Sequence, residues 1–392
     1  MKLRFSLPVS LVLLLLTVAL CTGSQLFLLL SVLVVLAVIW SLLAVLLASA
    51  TLRVDGNMTE QTVHRGEDLI FTLRMRHKGL IPIAPILLEV SDPSGSLDRE
   101  IRLKNMPRRI QSLRLPIHAS HVGVYPVGLR ACVVEDLLGI VSRRVVLSDT
   151  SFSLTVLPRT FPTEPLVLSP GDPGSEIMAR ATEDLNAPSD VRSYQPGDAM
   201  KKIHWKLSLR KGELIVRKFD EPILQDVLIL MDCSRPPSWG HPKAAADLRD
   251  ALLETAASVF AAQLATDHAV RMPLSGSHPV DVEKSMGAAI AMENLARTDF
   301  SESDRFERVL TLESRRMRKV GCAVIIAARL TGAMVDIMIR MRRMGPTLRL
   351  YLVTFAPEDA NVALLRARLE RAGIEVTCIL PEAAGKAGAV SG

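Results

Sequence analysis

An uncharged run at the start of the chain most constrains the fold. No Asp, Glu, Lys or Arg occurs between Arg4 and Arg53, and aliphatic residues dominate the interval. One helical membrane span needs only about 20 apolar residues, so the run is long enough for two. A small polar break at 21–25 divides it, and the sequence therefore predicts membrane helices at about 5–21 and 26–50.

Flanking charges set the expected orientation of this hairpin. Lys2 and Arg4 precede the first helix, Arg53 follows the second, and the connecting loop carries no charge. Positive residues remain on the inner side, so both ends are expected in the cytoplasm of a bacterium, with a multi-pass anchor in its inner membrane. The alternative is a cleaved signal peptide ending near Cys21, which leaves the second apolar span without a role.

Composition narrows the classes of partner. The net charge of +6 and pI near 9.2 are compatible with nucleic acid, but aromatics make up only 4% and no nucleic-acid motif occurs. We therefore expect the lipid bilayer, and not nucleic acid, as the anionic partner. The five cysteines are widely spaced, with no CxxC pair, which indicates no disulfide framework.

In the rest of the chain, the spacing of the apolar residues changes twice. Alternation in "DLIFTLRMRHKG" and similar segments predicts a β-sandwich of six or seven strands. From Ile223 onward, buried strands alternate with helices, which predicts a doubly wound α/β domain with a mostly parallel sheet. The predicted domains are a membrane hairpin at 1–52, the sandwich at 53–158, a linker with a basic motif at 159–222, the α/β domain at 223–381 and a flexible tail at 382–392.

Motifs for catalysis are scarce. The sequence has no phosphate-binding GxxxxGK[ST] loop, HExxH or GxSxG motif, so neither an enzyme nor a bound cofactor is expected. His204 and Ser208 are four residues apart, and a hydrolase using this pair is the enzymatic alternative.

One strand end resembles a cation site that has lost a ligand. "LILMDCSRPP" places Asp232 and Ser234 after a buried strand, but a further ligand position is taken by Pro236. Arg329 follows a later strand and would repel a cation, so we expect a degenerate site without metal.

The stretch "RSYQPGDAMKKIHWKLSLRKGELIVRKF" resembles the signature of the bacterial domain of unknown function 58 family. The family layout is two membrane helices, a β-sandwich, this signature and a von Willebrand factor type A-like α/β domain. The resemblance implies a non-enzymatic adaptor or scaffold that partners a MoxR-type AAA+ ATPase at the cell envelope. A structural envelope factor is the alternative. The chain departs from the family pattern at Ala199, Lys201 and His204.

Twelve residues of this stretch are the candidate partner-binding positions. They are Arg192, Tyr194, Pro196, Gly197, Asp198, Lys201, Lys202, Trp205, Lys206, Ser208, Arg210 and Arg217.

Two interpretations of the stretch remain open. Pro196-Gly197 predicts a type II turn, Asp198 is expected to cap a short helix that ends at Gly212, and Trp205 is expected to anchor that helix. Either Asp198 and the arginines pair internally as a clasp, or the basic residues form a docking face for an acidic partner or lipid head group.

Overall fold

In a computed structural model, the chain forms two compact units, Met1–Val156 and Leu157–Gly392. The structure describes residues 2–3, 6–77, 85–91, 99–103, 111–136, 139–145, 151–166, 190–196, 198, 200, 203–218, 226–237, 242–266, 268–275, 279–300, 305–317 and 320–381. Residues 167–189 of the predicted linker and the whole predicted tail, 382–392, lie outside these ranges.

The first unit begins with two apolar helices, α1 (Ser6–Thr22) and α2 (Gln25–Thr51), which pack against each other. Gly23 joins them with a φ of 64°, in the left-handed region that glycine adopts without strain. At 1.5 Å per residue, α2 is about 40 Å long and α1 about 25 Å, against a bilayer core of about 30 Å. Among the described residues, α2 is the one helix long and apolar enough to cross a membrane.

The described residues of this unit also form ten strands. They are β1 (Lys2–Leu3), β2 (Leu52–Met58), β3 (Thr62–His64), β4 (Asp68–His77), β5 (Ile86–Ser91), β6 (Arg99–Leu103), β7 (Gln111–His118), β8 (Gly123–Glu135), β9 (Val141–Val145) and β10 (Ser151–Leu157). One antiparallel sheet has the order β2-β4-β7. A second has the order β1-β9-β8-β10-β3, and β5 joins it by pairing with both β8 and β6.

The alternating pattern of β4 is confirmed, because Leu69, Phe71, Leu73 and Met75 are all buried in the core of this unit. The predicted number of strands was too low, since the described residues between 52 and 157 already form nine strands. Strand β2 was missed because turn-forming residues interrupt its apolar pattern, and β3 has only three residues.

Helix α2 is fastened to the sheets of its own unit. The Ser41 hydroxyl donates to the buried Asp136 carboxylate, and Arg143 Nη1 donates to Ser49 Oγ at 3.0 Å. Lys2 and Leu3, which precede α1, pair with β9 as well. The start of α1 and the end of α2 therefore contact the same sheet.

The second unit alternates strands and helices. Its elements are β11 (Asp190–Ser193), α3 (Trp205–Lys211), β12 (Ile215–Lys218), β13 (Asp226–Met231), α4 (Pro242–Leu264), β14 (Val270–Leu274), β15 (Val280–Glu283), α5 (Gly287–Ala296), α6 (Phe306–Ser314), β16 (Val320–Ala327), α7 (Gly332–Arg343), β17 (Thr347–Val353), α8 (Ala360–Arg371) and β18 (Glu375–Ile379). The main sheet has the order β15-β14-β13-β16-β17-β18, with all pairs parallel except β14–β15.

The alternation predicted for this unit is largely confirmed. Thr331 caps α7 by accepting from Met334 N at 3.2 Å, and the α7 methionines Met334, Met338 and Met341 are core residues. Two details were wrong. Residues 282–283, which the sequence prediction placed at the start of a helix at 282–297, belong to the antiparallel edge strand β15, and α6 was not predicted.

Candidate functional site

The signature stretch forms a hairpin with a helix inside it. Strand β11 pairs antiparallel with β12, from Asp190 with Lys218 to Ser193 with Ile215. Helix α3 occupies the connection, and Ile203 just before it forms a bridge with Val216. The buried side chains of Ile203, Ile215 and Val216 supply the apolar contacts of this small unit.

An ion pair closes the loop that follows β11. Asp198 N donates to Gln195 O at 3.0 Å, which forms a turn around Pro196. The Arg192 guanidinium then binds both oxygens of the Asp198 carboxylate, with N–O distances of 2.9 and 2.7 Å. Gln195 N also donates to Asp198 Oδ2 at 2.9 Å. Asp198 therefore closes this turn, and it is not the residue that caps the helix Trp205–Lys211.

Helix α3 begins at Trp205, seven residues after the expected cap. The reason is the bridge between Ile203 and Val216, which requires extended backbone just before the helix. His204 caps the helix instead, and its Nδ1 accepts from Leu207 N at 3.2 Å. Gly212 ends it with a φ of 74°, as predicted.

The geometry of Ser208 argues against the hydrolase alternative. Its buried Oγ accepts from Ile215 N at 2.9 Å and donates to Ile215 O at 3.4 Å. A serine nucleophile must be open to its substrate and must give its proton to a base, whereas the Ser208 hydroxyl is buried and donates its proton to the Ile215 carbonyl. His204 Nδ1 is occupied by Leu207 N, so this pair lacks the arrangement that nucleophilic catalysis requires.

The outer face of this unit is apolar and basic. Met200, Trp205 and Leu209 are 70%, 56% and 84% exposed. Trp205 is thus not an anchor in the core, which corrects the sequence prediction, because Ile203 and Ser208 occupy the inner side. We call the following residues the signature surface: Met200, Trp205, Lys206, Leu209, Arg210 and Lys211.

Some predicted site residues take no part in this surface. Tyr194 is half-buried and pairs through its backbone with Leu214 O at 2.8 Å. Arg217 lies in β12. Gly197, Lys201 and Lys202 lie outside the described residues. Sequence reasoning missed Met200 and Leu209 as surface residues; the spacing of Leu209 four positions after Trp205 on one helix face was the available signal.

A second polar cluster lies where the strand order of the main sheet reverses. Strands β13 and β16 are neighbours there, and ligands of open α/β sheets bind beyond the carboxyl ends of such strands. Asp232 follows β13, and its Oδ1 accepts from Ser234 N at 3.0 Å and from the Ser234 hydroxyl. Arg329 follows β16, donates from Nη2 to Ser234 Oγ, and places Nε 3.8 Å from Asp232 Oδ2.

Arg329 thus supplies the positive charge that Asp232 faces. Burial raises the pKa of the Asp232 carboxyl, Ser234 and Arg329 lower it, and the nearby Glu307 raises it again. Glu307 was missed from the sequence, and its Oε1 accepts from the Thr331 hydroxyl at 3.0 Å. No cluster of three metal-ligating side chains occurs among the described residues.

Comparisons with known proteins place the signature stretch in a family context. Residues 190–282 match the family described as "Protein of unknown function DUF58". The chain is 26% identical over 190 residues to the "Uncharacterized protein YeaD" of Bacillus subtilis (strain 168), a match covering 45% of the chain and 46% of that relative. The chain thus spans about half of the curated relative that it matches.

Solved structures resemble the chain only weakly. A CARDB domain from Pyrococcus furiosus is 16% identical, with 27% of this chain and 91% of that one covered and a TM-score of 0.19. The sporulation control protein Spo0M of Bacillus subtilis is 14% identical, with 37% and 58% covered and a TM-score of 0.16. Scores this low do not establish a shared fold.

Proposed function

We propose that this chain is a membrane-anchored, non-enzymatic adaptor that binds a protein partner through the signature surface. The single observation that carries the proposal is the exposure of Met200, Trp205 and Leu209 beside Lys206 and Arg210. Clustered large apolar side chains on a surface mark interaction sites, and Trp and Arg are frequent among the residues that dominate binding energy.

The Arg192–Asp198 pair supports this function by shaping the hairpin. It is internal to the signature stretch, whereas Lys206, Arg210 and Lys211 point outward. The clasp and the docking face are therefore different residues of one segment. A basic rim around an apolar centre fits an acidic protein surface. The family resemblance implies that this partner is a MoxR-type AAA+ ATPase.

The second part of the proposal concerns how the chain is anchored in the membrane. We propose that α1 and α2 cross the bacterial inner membrane as a hairpin, with both ends and both units on the cytoplasmic side. Support comes from the packing of α1 on α2 and from the contacts of β1 and of Ser49 with the β8–β9 region. We also propose a von Willebrand factor type A-like fold for the α/β part, supported by Asp232 and Ser234 after β13.

Affinity purification from mild detergent with mass spectrometry tests the adaptor function. One bait carries Trp205→Ala and Leu209→Ala, and a second carries Lys206→Glu and Arg210→Glu. The matched control carries Leu364→Ala and Arg340→Glu, which alter an exposed leucine and an exposed arginine on α8 and α7. We expect an AAA+ ATPase with the wild-type and control baits and its loss from the other two. Recovery of the same ATPase by all four baits would remove the signature surface from the proposal, and absence of any ATPase would refute that partnership.

A further inference from the structure

We infer that α4 and β17 form a binding site for an extended, proline-containing peptide, and that the segment 158–166, here called the strap, occupies this site as a releasable internal ligand. The inference is independent of the signature surface. The strap directly follows β10 and belongs to the second unit, and its described backbone contains no helix or strand. It carries Pro158, Pro162 and Pro165, and the fixed φ of proline favours extended chain.

The strap binds to side chains of α4 through its backbone. Phe161 N donates to Ser258 Oγ at 2.9 Å. Gln263 Nε2, further along α4, donates to Leu166 O at 3.4 Å. The two contacts follow in the same order along the strap and along the helix, so the strap runs in the direction of α4.

Strand β17, against which α4 packs, supplies a further backbone contact. Arg349 Nη1 donates to Glu164 O at 3.4 Å, and Glu375 holds the same guanidinium at 2.8 Å from its Nε. One contact involves a strap side chain, because Arg159 Nε lies 3.6 Å from Glu254 Oε1. The site therefore recognises a basic residue followed by extended backbone. Prolines suit this backbone, because they bring no N–H group that would need a partner.

The contacts beneath the strap are polar, which makes the strap releasable. Glu254, Ser258 and Gln263 are 3%, 2% and 1% exposed. Of the strap, Pro158 and Leu166 are buried, whereas residues 159–165 are exposed or half-buried. Lasting contacts depend mainly on buried apolar area, and water can replace polar contacts when a segment leaves. Segments with few buried apolar contacts are the first to open.

The strap also fills the site imperfectly. Gln263 Oε1 is buried and has no hydrogen-bond partner among the residues that the structure describes. The bonds to Glu164 O and Leu166 O are both long, at 3.4 Å. A partner segment with a basic residue and extended, proline-containing chain can therefore replace the strap. Because the strap follows β10, its release adds residues 158–166 to the connection between the two units.

Fluorescence anisotropy on the full chain in uncharged detergent tests the site. The probe is a fluorescein-labelled peptide of residues 157–166. The receptor carries Arg159→Ala and Leu166→Ala, which weaken the strap and leave α4 and β17 unchanged. We expect the peptide to bind wild type at least about tenfold more weakly than this receptor, because the strap keeps most wild-type sites closed. Adding Ser258→Ala and Gln263→Ala to the receptor should abolish binding.

Two methylated peptides test whether the backbone is recognised. Methylation of the Phe161 nitrogen removes the N–H that Ser258 accepts and should weaken binding about tenfold. Methylation of the Thr160 nitrogen is the matched control, because Thr160 is exposed and its N–H binds no group in the described part of the chain. This second peptide should bind like the unmodified one.

Hydrogen exchange of the wild-type chain gives a measurement that needs no variant receptor. The strap amides should exchange at least about tenfold faster than those of the buried strand β16, and Ser258→Ala should speed them further. Equally slow exchange of the strap and β16 would show a fixed segment and overturn the inference. It would also be overturned by a receptor that binds no peptide, by equal binding to wild type and receptor, or by equal loss with both methylated peptides.

Discussion

Arg192 and Asp198, six positions apart in the sequence, form a two-pronged ion pair with N–O distances of 2.9 and 2.7 Å. The pair is partly exposed, with 43% of the Arg192 side chain and 18% of the Asp198 side chain accessible. Solvent screening therefore limits its contribution to stability. Its main effect is geometric, because Asp198 also accepts from Gln195 N and so fixes the turn that precedes α3.

Replacement of this pair should loosen the loop more than it destabilises the protein. We expect Arg192→Lys to lower the free energy of unfolding by less than about 1 kcal/mol, because lysine keeps the charge but not the two-pronged contact. Limited proteolysis should nevertheless cut the loop after β11 faster than in wild type. Arg210→Lys is the matched control, and equal cleavage of the two variants would contradict the geometric role.

Ser208 should matter for stability and not for chemistry. Ser208→Ala leaves the Ile215 N–H without its buried acceptor, which should cost about 1–3 kcal/mol of unfolding free energy. Thermal unfolding in detergent and hydrogen exchange of the Ile215 amide measure the effect. Leu209→Ala is the control. The Leu209 side chain is 84% exposed, so its truncation should change the free energy of unfolding by about 0.5 kcal/mol or less. A neutral Ser208→Ala with abolished hydrolysis of a test ester would revive the enzyme hypothesis.

The sequence predicts elements whose cause is local and misses those whose cause is distant. The buried strand β16 belongs to the alternation of strands and helices that was predicted, and the Thr331 cap of α7 likewise depends on a neighbouring residue, Met334. The start of α3 depends on a bridge between Ile203 and Val216, which are thirteen positions apart (216 − 203), so local capping preferences gave the wrong residue.

The candidate sites divide in the same way. The basic residues of the signature surface are evident in the sequence, but the exposure of Trp205 depends on which side of α3 meets the hairpin. The contact of Arg329 with Ser234 joins residues from two strand ends that only the sheet order brings together. Sequence reasoning placed Arg329 near the predicted degenerate site without showing that it bonds to Ser234.

Asp232 gives a pH dependence of defined sign. Burial raises the pKa of this carboxyl above its ordinary value of 3.8, so the folded state binds its proton more tightly than the unfolded state does. The stability from this proton is fully present below pH 3.8 and is lost as the pH rises through the raised pKa. The Asp232→Asn side chain does not titrate, so the variant shows no such loss of stability as the pH rises.

The unfolding temperatures of wild type and Asp232→Asn should therefore diverge as the pH rises from about 3.8 upward, with the variant gaining relative to wild type. Thermal unfolding at a series of pH values measures this difference. A difference that falls with rising pH would mean that Arg329 and Ser234 outweigh burial.

Cysteine labelling should show the orientation of the chain in the membrane. Cys21 is exposed at the end of α1, Cys378 is half-buried in β18, and Cys132, Cys233 and Cys322 are buried. Burial raises the pKa of the Cys132 thiol to about 12, so its reactive thiolate is scarce at neutral pH.

The labelling reagent is an impermeant maleimide added to intact spheroplasts. With both units in the cytoplasm, we expect it to label Cys21 directly and Cys378 only after permeabilisation. A Lys2→Cys, Cys21→Ser variant should likewise be labelled only after permeabilisation if α1 and α2 both cross. Labelling of Cys378 in intact spheroplasts would show that the chain has the opposite orientation. That result would favour the structural envelope factor over the cytoplasmic adaptor.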